Sequence, residues 1–104
     1  MEVRIRRYAQ TVKVLDEFLS NPKAWRYGYD ISRNTELKSG TLYPILVRLA
    51  EHGWLETRWE TAELGRPPRH MYRLTGNGMR TARELVRDVS RSLPRKPALN
   101  GVRQ

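Results

Sequence analysis

One continuous stretch of the chain, residues 40–78, limits the possible folds more than any other. It reads GTLYPILVRLAEHGWLETRWETAELGRPPRHMYRLTGNG. Its first part repeats apolar residues at the spacing of an amphipathic helix. These residues are Leu42, Ile45, Leu46 and Leu49. Two shorter parts, residues 54–60 and 69–74, alternate in side-chain polarity as half-buried strands do, and the loop TAELGRPP joins them. This order of elements predicts a winged helix-turn-helix, with the loop as its wing.

The residues before this stretch predict two more helices. A first apolar stripe recurs at spacings of four, three and four, which is a helical pattern. It consists of Tyr8, Val12, Leu15 and Leu19. We expect that helix from Ile5 to Ser20, with Asn21-Pro22 ending it. A short second helix is expected from Gly28 to Asn34, held by tertiary packing, with Tyr29 and Ile31 as its core contacts.

The helix within residues 40–78 is expected to follow a turn at Thr35–Ser39. The Ser39 hydroxyl is its predicted N-cap, and Pro44 falls near the first turn, where a missing amide costs least. His52-Gly53 is predicted to end it. The face opposite its apolar stripe should lie at the surface, with Thr41 near the edge. That face consists of Gly40, Tyr43, Pro44, Val47 and Arg48.

Alternation predicts which side chains share a face of each strand. In the first strand these are Leu55, Thr57 and Trp59, on a half-buried side; in the second they are His70, Tyr72 and Leu74. A last helix is expected to begin at Thr75, with Thr75 or Asn77 as its N-cap, and to end before Pro94. Its apolar stripe consists of Met79, Ala82, Leu85, Val86, Val89 and Leu93.

The charge of the chain favours a polyanionic partner. Twenty basic and eleven acidic side chains give a formal net charge of +9. A positive field raises both the encounter rate with phosphate backbones and the non-specific affinity for them; a merely arginine-rich protein is the alternative. More than half of the excess lies in residues 75–104, so the stretch 40–78 is not itself strongly basic.

Several classes of function lack the residues they need. The chain has no cysteine, which excludes disulfides, thiolate zinc sites and cysteine nucleophiles and fits a cytoplasmic protein. No apolar run approaches ~18 residues, and no signal peptide is recognisable. His52 and His70 stand in no metal-ligand spacing and beside no nucleophile. No catalytic residue, metal or cofactor is therefore expected, and an enzyme is the least expected class.

A chain of 104 residues is long enough for one small core and too short for two ordinary domains. We expect an α+β fold, mainly helical. Residues 1–74 form the expected winged helix-turn-helix DNA-binding domain, and residues 75–93 form a dimerisation helix packed into the same unit. Residues 94–104 are expected to be a flexible tail.

The exposed helix face and the loop are the candidate DNA-binding elements. A major groove admits one helix, whose first residues meet the base edges; packing against another subunit is the alternative for this face. Two prolines restrict the loop Gly65–Arg69, so its arginines enter a minor groove with less loss of entropy; a solvated hairpin tip is the alternative. The candidate residues are Lys38, Ser39, Gly40, Thr41, Tyr43, Pro44, Arg48, Arg66 and Arg69.

The apolar stripe of the last helix is a candidate dimer interface. Its near-heptad spacing and its width exceed what a small wing domain needs. The arginines on the other side are interpreted as phosphate contacts or, because Glu84 and Asp88 lie three or four residues away, as a solvated and partly paired face. These arginines are Arg80, Arg83, Arg87 and Arg91.

Over roughly residues 8–92 the chain resembles the PadR family of bacterial transcriptional regulators. The matching strings, in this order, are Tyr27–Ile31, Ser39–Pro44 with Leu46 and Leu49, Gly53, Trp59-Glu60, Gly65–Pro67, and Tyr72–Thr75 with Gly78. The resemblance implies a homodimer with one winged helix-turn-helix per subunit, usually a repressor. It places Ser39, Thr41, Tyr43 and Arg66 in DNA-contacting elements.

The resemblance also implies how the subunits associate. C-terminal helices make the dimer contacts with help from the first helix, where Tyr8, Val12 and Leu15 are the candidates. Some members lose DNA on binding a small phenolic or drug-like molecule, so a small aromatic effector is a partner that the resemblance allows. The chain departs from longer relatives by its single C-terminal helix and short tail, and Arg4, Arg6 and Arg7 are interpreted as a flexible arm.

The sequence therefore predicts a homodimeric, sequence-specific transcriptional regulator, a repressor, in a bacterial cytoplasm and associated with the nucleoid when bound to DNA. Its expected partner is a palindromic operator in double-stranded DNA. The alternative is a protein-interaction adaptor that keeps the fold and pairs through its last helix with a different protein. An RNA-binding winged helix is less favoured, because no cluster of exposed aromatic residues suited to unstacked bases is evident.

Overall fold

The structure, a computed structural model, describes residues 2–61 and 64–92, with only the backbone described for residues 2–5 and 92. Its elements are α1 (Glu2–Leu19), β1 (Arg26–Tyr27), α2 (Gly28–Thr35), α3 (Ser39–Glu51), β2 (Leu55–Trp59), β3 (His70–Leu74) and α4 (Gly76–Ser92). The strands form one antiparallel sheet in the order β1-β3-β2. This confirms the predicted α+β winged-helix class. Leu93 and the predicted tail, 94–104, lie outside the described residues.

The N-terminal segment and β1 differ from the sequence prediction. Helix α1 begins at Glu2, so the three arginines expected to form a flexible arm belong to this helix, since no proline or glycine interrupts it. Strand β1 was not predicted, because two residues carry no periodicity. It forms through tertiary pairing of Arg26 with Tyr72 and of Tyr27 with Met71.

The core lies where α1, α3 and α4 meet one face of the sheet. The apolar stripe predicted for α3 is buried in full, as are Val14, Leu15 and Phe18 of α1 and Ala82 of α4. In α2, Ile31 is buried as expected, but Tyr29 is 68% exposed. Residues two positions apart on a helix are separated by about 200° of rotation about its axis. Tyr29 and Ile31 therefore cannot face the same core.

The sheet is only partly covered by the helices. Leu55 pairs with Leu74 at the buried end, and Trp59 pairs with His70 at the other end of the same hairpin. Along β2 only the first residue is buried, and Thr57 and Trp59 are exposed, Trp59 by 61%. Alternation correctly predicted the strand but not its burial, because the strand runs past the edge of the helical layer.

The turn between α2 and α3 is fixed by backbone geometry and a buried threonine. The Thr35 hydroxyl donates to the Ile31 carbonyl at 2.7 Å and accepts from the Leu37 amide at 3.3 Å. Glu36 then adopts a left-handed conformation with φ of 63°. Helix α3 follows with Lys38 at the N-cap position and no side-chain cap. Ser39 is therefore the first helical residue rather than the predicted N-cap.

The junction between β3 and α4 is held by Thr75, one of the two N-caps proposed from the sequence. Its hydroxyl accepts a hydrogen bond from the Gly78 amide at 2.9 Å and donates one to the Gly53 carbonyl at 2.7 Å. The Thr75 amide donates to the Trp54 carbonyl at 3.1 Å. The start of α4 is thereby fixed to the segment that links α3 to β2.

None of the helices in the described parts of the chain combines the length and the apolar character that a membrane span requires.

Candidate nucleic-acid interface

Helix α3 presents the predicted residues on one solvent-facing surface. All five residues of the face opposite its apolar stripe are exposed, including Tyr43 at 39% and Val47 at 52%. Thr41 is half-buried at the edge of this face. Lys38 and Ser39 are exposed at the start of the helix. Because the other side is buried in the core, the orientation of this surface is set by the core packing rather than by the exposed side chains.

Tyr43 does not project freely from α3. Its ring lies against Gly28, the first residue of α2: a Cβ atom placed on Gly28 would come within 2.8 Å of Tyr43 Cζ and closer still to its hydroxyl oxygen. Burial raises the pKa of Tyr72 in β3, and the nearby Tyr43 phenol adds to that effect. The tyrosine expected to contact DNA therefore lies against the start of α2 and remains 39% exposed.

The loop between β2 and β3 forms a wing whose described residues are exposed from Leu64 to Arg69. Its base is closed by the Glu60 amide, which donates to the Arg69 carbonyl at 2.7 Å. Gly65 has φ of +83°, a conformation that L side chains rarely adopt. An open cleft of about 500 Å³ lies beside the wing, lined by Glu60, Thr61, Arg66, Pro67 and Arg69.

Arg69 has structural partners that the sequence did not reveal. Its Nε donates to Glu60 Oε1 at 3.0 Å, and its guanidinium lies over the Tyr27 ring, 4.1 Å from the centroid. The Tyr27 hydroxyl donates to the same carboxylate. Arg69 was predicted as a DNA contact, and the structure places it in this three-residue network at the base of the wing, with its side chain 51% exposed.

The electrostatics of the network follow from its hydrogen bonds. The bond from Tyr27 is the main reason that the pKa of Glu60 is lowered, with Arg69 acting in the same direction. The same bond raises the pKa of the Tyr27 phenol, and Glu60 raises the pKa of Arg69. Tyr27 and Glu60 were not predicted as site residues. Opposite charges at the two ends of the loop were the available signal for Glu60 and Arg69, but nothing local indicated Tyr27.

The exposed end of the hairpin carries an aromatic stack on the inner face of the sheet. Trp59 stacks on His70 with centroids 4.4 Å apart and planes 8° apart, and His70 in turn contacts Tyr72. On the outer face the guanidinium groups of Arg58 and Arg73 both lie over the Trp25 ring, each 4.4 Å from its centroid. These arginines therefore belong to the outer face of the sheet and not to the surface of α3.

The predicted dimer residues divide into two groups. Leu15 and Ala82 are fully buried within the subunit and Val12 is nearly so, because α1 and α4 pack on each other. These three therefore contribute to the subunit core and offer almost no surface to a partner. The residues that keep exposed area are Tyr8, Met79, Leu85, Val86 and Val89; Leu93 lies outside the described residues. All four arginines of the α4 stripe are exposed.

Metal-binding clusters are absent from the part of the chain that the structure describes: no group of three or more histidine, cysteine, aspartate or glutamate side chains comes together there. His52 instead contacts the Arg48 carbonyl through Nδ1 at 2.8 Å and packs against Trp54. Among the described residues, the candidate features are thus the α3 face, the wing and the network at the base of the wing.

Comparisons with known proteins agree with this geometry. A family model described as the transcriptional regulator PadR-like family matches residues 21–84. A PadR-like transcription factor from Bacteroides fragilis is 27% identical, with a TM-score of 0.72, over 86% of this chain and 88% of its own. A protein from Streptococcus mutans is 33% identical, with a TM-score of 0.66, over 81% and 78%.

A third solved structure, of Bacillus subtilis PadR in complex with operator DNA, is 24% identical, with a TM-score of 0.61, over 84% of this chain and 51% of its own. At this identity the likeness shows the fold alone. No curated protein sequence matches the chain.

Proposed function

The chain belongs to the PadR-like family of transcriptional regulators, and on that premise we propose that it is a homodimer that binds a palindromic operator in double-stranded DNA and represses transcription. The observation that carries the proposal is the exposed face of α3, held from behind by a fully apolar buried face, together with the exposed wing that follows it in the chain. Helix-turn-helix proteins use such a pair of elements to contact a major groove and the adjacent minor groove or backbone.

In this proposal α3 reads base edges. Thr41 and Tyr43 lie near the start of the helix, where a recognition helix meets the bases. Lys38 and Ser39 contact the backbone, and Arg48 reaches a phosphate or a guanine. Gly40 and Pro44 are exposed on the same surface and let the helix approach the groove closely.

In this proposal the wing contributes Arg66 and Arg69. Arg66 lies between Gly65 and Pro67 at the exposed part of the loop, and Arg69 lies at the base of the wing, where it bonds to Glu60 and keeps half of its side chain exposed. A proline on the C-terminal side restricts the backbone that presents Arg66. An arginine so placed suits a minor groove, whose negative potential increases as it narrows.

Dimerisation is proposed through α4, with Tyr8 of α1 beside it. Met79, Val86 and Val89 are only partly buried in the subunit, although they are apolar and follow a helical stripe. Burial of such side chains against a second copy is favourable at about 25 cal/mol per Å². A symmetric dimer would place its two α3 helices at half-sites about 34 Å apart. We place the protein in the bacterial cytoplasm, on the nucleoid when DNA is bound.

Selection of bound duplexes from a random pool tests operator binding directly. A palindromic motif is the expected result, and failure to enrich any motif, combined with a stoichiometric protein partner in a pull-down, would favour the adaptor alternative. With the selected duplex in hand, Tyr43→Ala should weaken binding to it far more than binding to a random duplex. Equal losses on both would contradict base readout by α3.

Arg66→Ala tests the wing. Loss of one phosphate contact should lower the slope of log K against log salt concentration by roughly one unit. The matched control is Lys13→Ala, an exposed basic residue on α1 for which no DNA contact is proposed, and which removes the same charge. An identical change of slope in both variants would mean that Arg66 contributes only its net charge.

A further inference from the structure

We propose that the dipeptide Tyr27-Gly28 is the joint that fixes the angle between the wing and α3, so that it determines operator specificity without itself contacting DNA. The inference rests on the proposed function for its consequence in DNA binding. Its structural part concerns the free protein and can be tested without DNA.

Tyr27 holds the wing. Its hydroxyl donates to the Glu60 carboxylate at the end of β2, and its ring supports the guanidinium of Arg69, just before β3. Glu60 and Arg69 are the two residues whose backbones close the base of the wing. One side chain from outside the hairpin therefore contacts both ends of the loop.

Gly28 holds α3. It is buried and is the first residue of α2, and the Tyr43 ring occupies the space where a larger residue would carry its Cβ, with Tyr43 Cζ and Cε1 only 2.8 and 2.9 Å from that position. The close approach places Tyr43 against the backbone of α2. Consecutive residues of one short segment thus contact the wing and the recognition helix.

The wing needs such a support because β2, one of its two strands, extends beyond the core. β2 is buried only at Leu55, and Trp59 at its far end is exposed. At no more than about 3.3 Å per residue, the four residues 65–68 place the tip of the wing at most roughly 13 Å from its base. At this length a rotation of about 10° at the base would move the tip by roughly 2 Å, which is enough to displace an arginine from a narrow groove.

The first experiment tests, in the free protein, whether Tyr27 stabilises the base of the wing. Tyr27→Phe keeps the ring and removes the hydroxyl that donates to the Glu60 carboxylate. The backbone amide of Glu60 closes the base of the wing. Its hydrogen exchange with solvent, measured by NMR, should therefore be about threefold to tenfold faster in the variant. Tyr29→Phe is the matched control: it removes an exposed hydroxyl two residues away that makes no hydrogen bond within the described residues. Unchanged exchange in Tyr27→Phe would overturn the role of Tyr27.

A merely structural role would be recognised in the same samples. Loss of general stability would accelerate exchange in the core strands and helices and lower the thermal midpoint. The proposal expects faster exchange confined to the wing, with the core amide of Leu74 unaffected. Acceleration of Glu60 and Leu74 by the same factor would also overturn it.

The second experiment measures coupling to α3 on duplexes enriched from a random pool. Gly28→Ala should displace the Tyr43 ring and weaken binding to the enriched duplex about tenfold, with little loss on a random-sequence duplex. Gly76→Ala is the control, since no atom lies within 4 Å of a Cβ there. In a Tyr43→Ala background Gly28→Ala should cost nothing further, because the ring that the methyl group displaces is gone.

Persistence of the full Gly28→Ala loss in the Tyr43→Ala background would overturn the steric route from Gly28 to α3. If the unmodified protein enriches no duplex, the proposed function fails, while the amide exchange of Tyr27→Phe still decides whether the joint exists. The two failures are therefore distinguishable.

Discussion

Gly78→Ala should destabilise the protein strongly, although alanine is the better helix former. Gly78 is buried in the first turn of α4, and a Cβ atom there would lie 2.7 Å from the carbonyl carbon of Trp54, closer still to its oxygen, and 3.0 Å from its Cα. Carbon atoms pack best at about 3.5–4.0 Å, so the two backbones would have to separate by about 1 Å. Backbone cannot swing aside as a flexible side chain can.

The separation also breaks hydrogen bonds at the junction. The Thr75 amide bond to the Trp54 carbonyl, 3.1 Å, and the Thr75 hydroxyl bond to the Gly53 carbonyl, 2.7 Å, span the same gap. Overpacking costs about 1–3 kcal/mol and each weakened bond about 1 kcal/mol, against a gain of about 1 kcal/mol in helix propensity. The net loss of unfolding free energy is therefore about 2–4 kcal/mol.

Urea denaturation followed by circular dichroism, at one fixed protein concentration, measures this loss. With an m-value of about 1.5 kcal/mol/M, the midpoint should fall by about 1–3 M. Gly76→Ala is the internal control, because it lies in the same turn and has no atom within 4 Å of the added Cβ. Its stability should be unchanged or higher by up to about 1 kcal/mol. Equal midpoints for the two variants would refute the close approach of Gly78 to Trp54.

Three further changes test other parts of the structure. Thr75→Ala should lower the unfolding free energy by about 1 kcal/mol through loss of the α4 N-cap and Thr75→Ser should restore it, as read from urea midpoints; equal losses in both would contradict the cap. The Glu60 carboxyl should titrate by NMR below an ordinary glutamate, and Tyr27→Phe should raise its pKa, because the phenol bond favours the carboxylate. Since the folded-state pKa is lowered, this contribution to stability is present above the ordinary glutamate pKa and is lost as the pH falls through the lowered value; an unchanged pKa in Tyr27→Phe would count against the bond. Val86→Glu should convert the proposed dimer to monomer in analytical ultracentrifugation while Arg87→Glu, on the exposed side of the same helix, should not; a monomeric unmodified protein would remove the dimer proposal.

Much of the fold could be predicted because its signals are local. The stripe of Leu42, Ile45, Leu46 and Leu49 has the period of a helix, and these side chains are the buried face of α3. Thr75 caps α4 as its position before the apolar run suggested. Glycine, proline and alternating polarity located the hairpin to within one residue at each strand end.

Predictions failed where burial depended on neighbours from other elements. Alternation in β2 could not indicate that the helices cover only the Leu55 end, so Trp59 was expected to be half-buried and is exposed. The sequence pattern of α4 could not show which residues of its apolar stripe face the subunit core and which face a partner. Ala82 is in the core, and only the packing of α1 on α4 reveals this.

The candidate site shows the same division. The sequence by itself determined which residues share the exposed face of α3 and which lie in the wing, because the helical period and the turn residues act over a few positions. The tertiary structure alone decided that Arg69 is paired with Glu60, that Tyr27 supports both, and that Tyr43 lies against Gly28. Those contacts join residues 9, 33, 42 and 15 positions apart, and no local pattern encodes the distance at which a folded chain brings such side chains together.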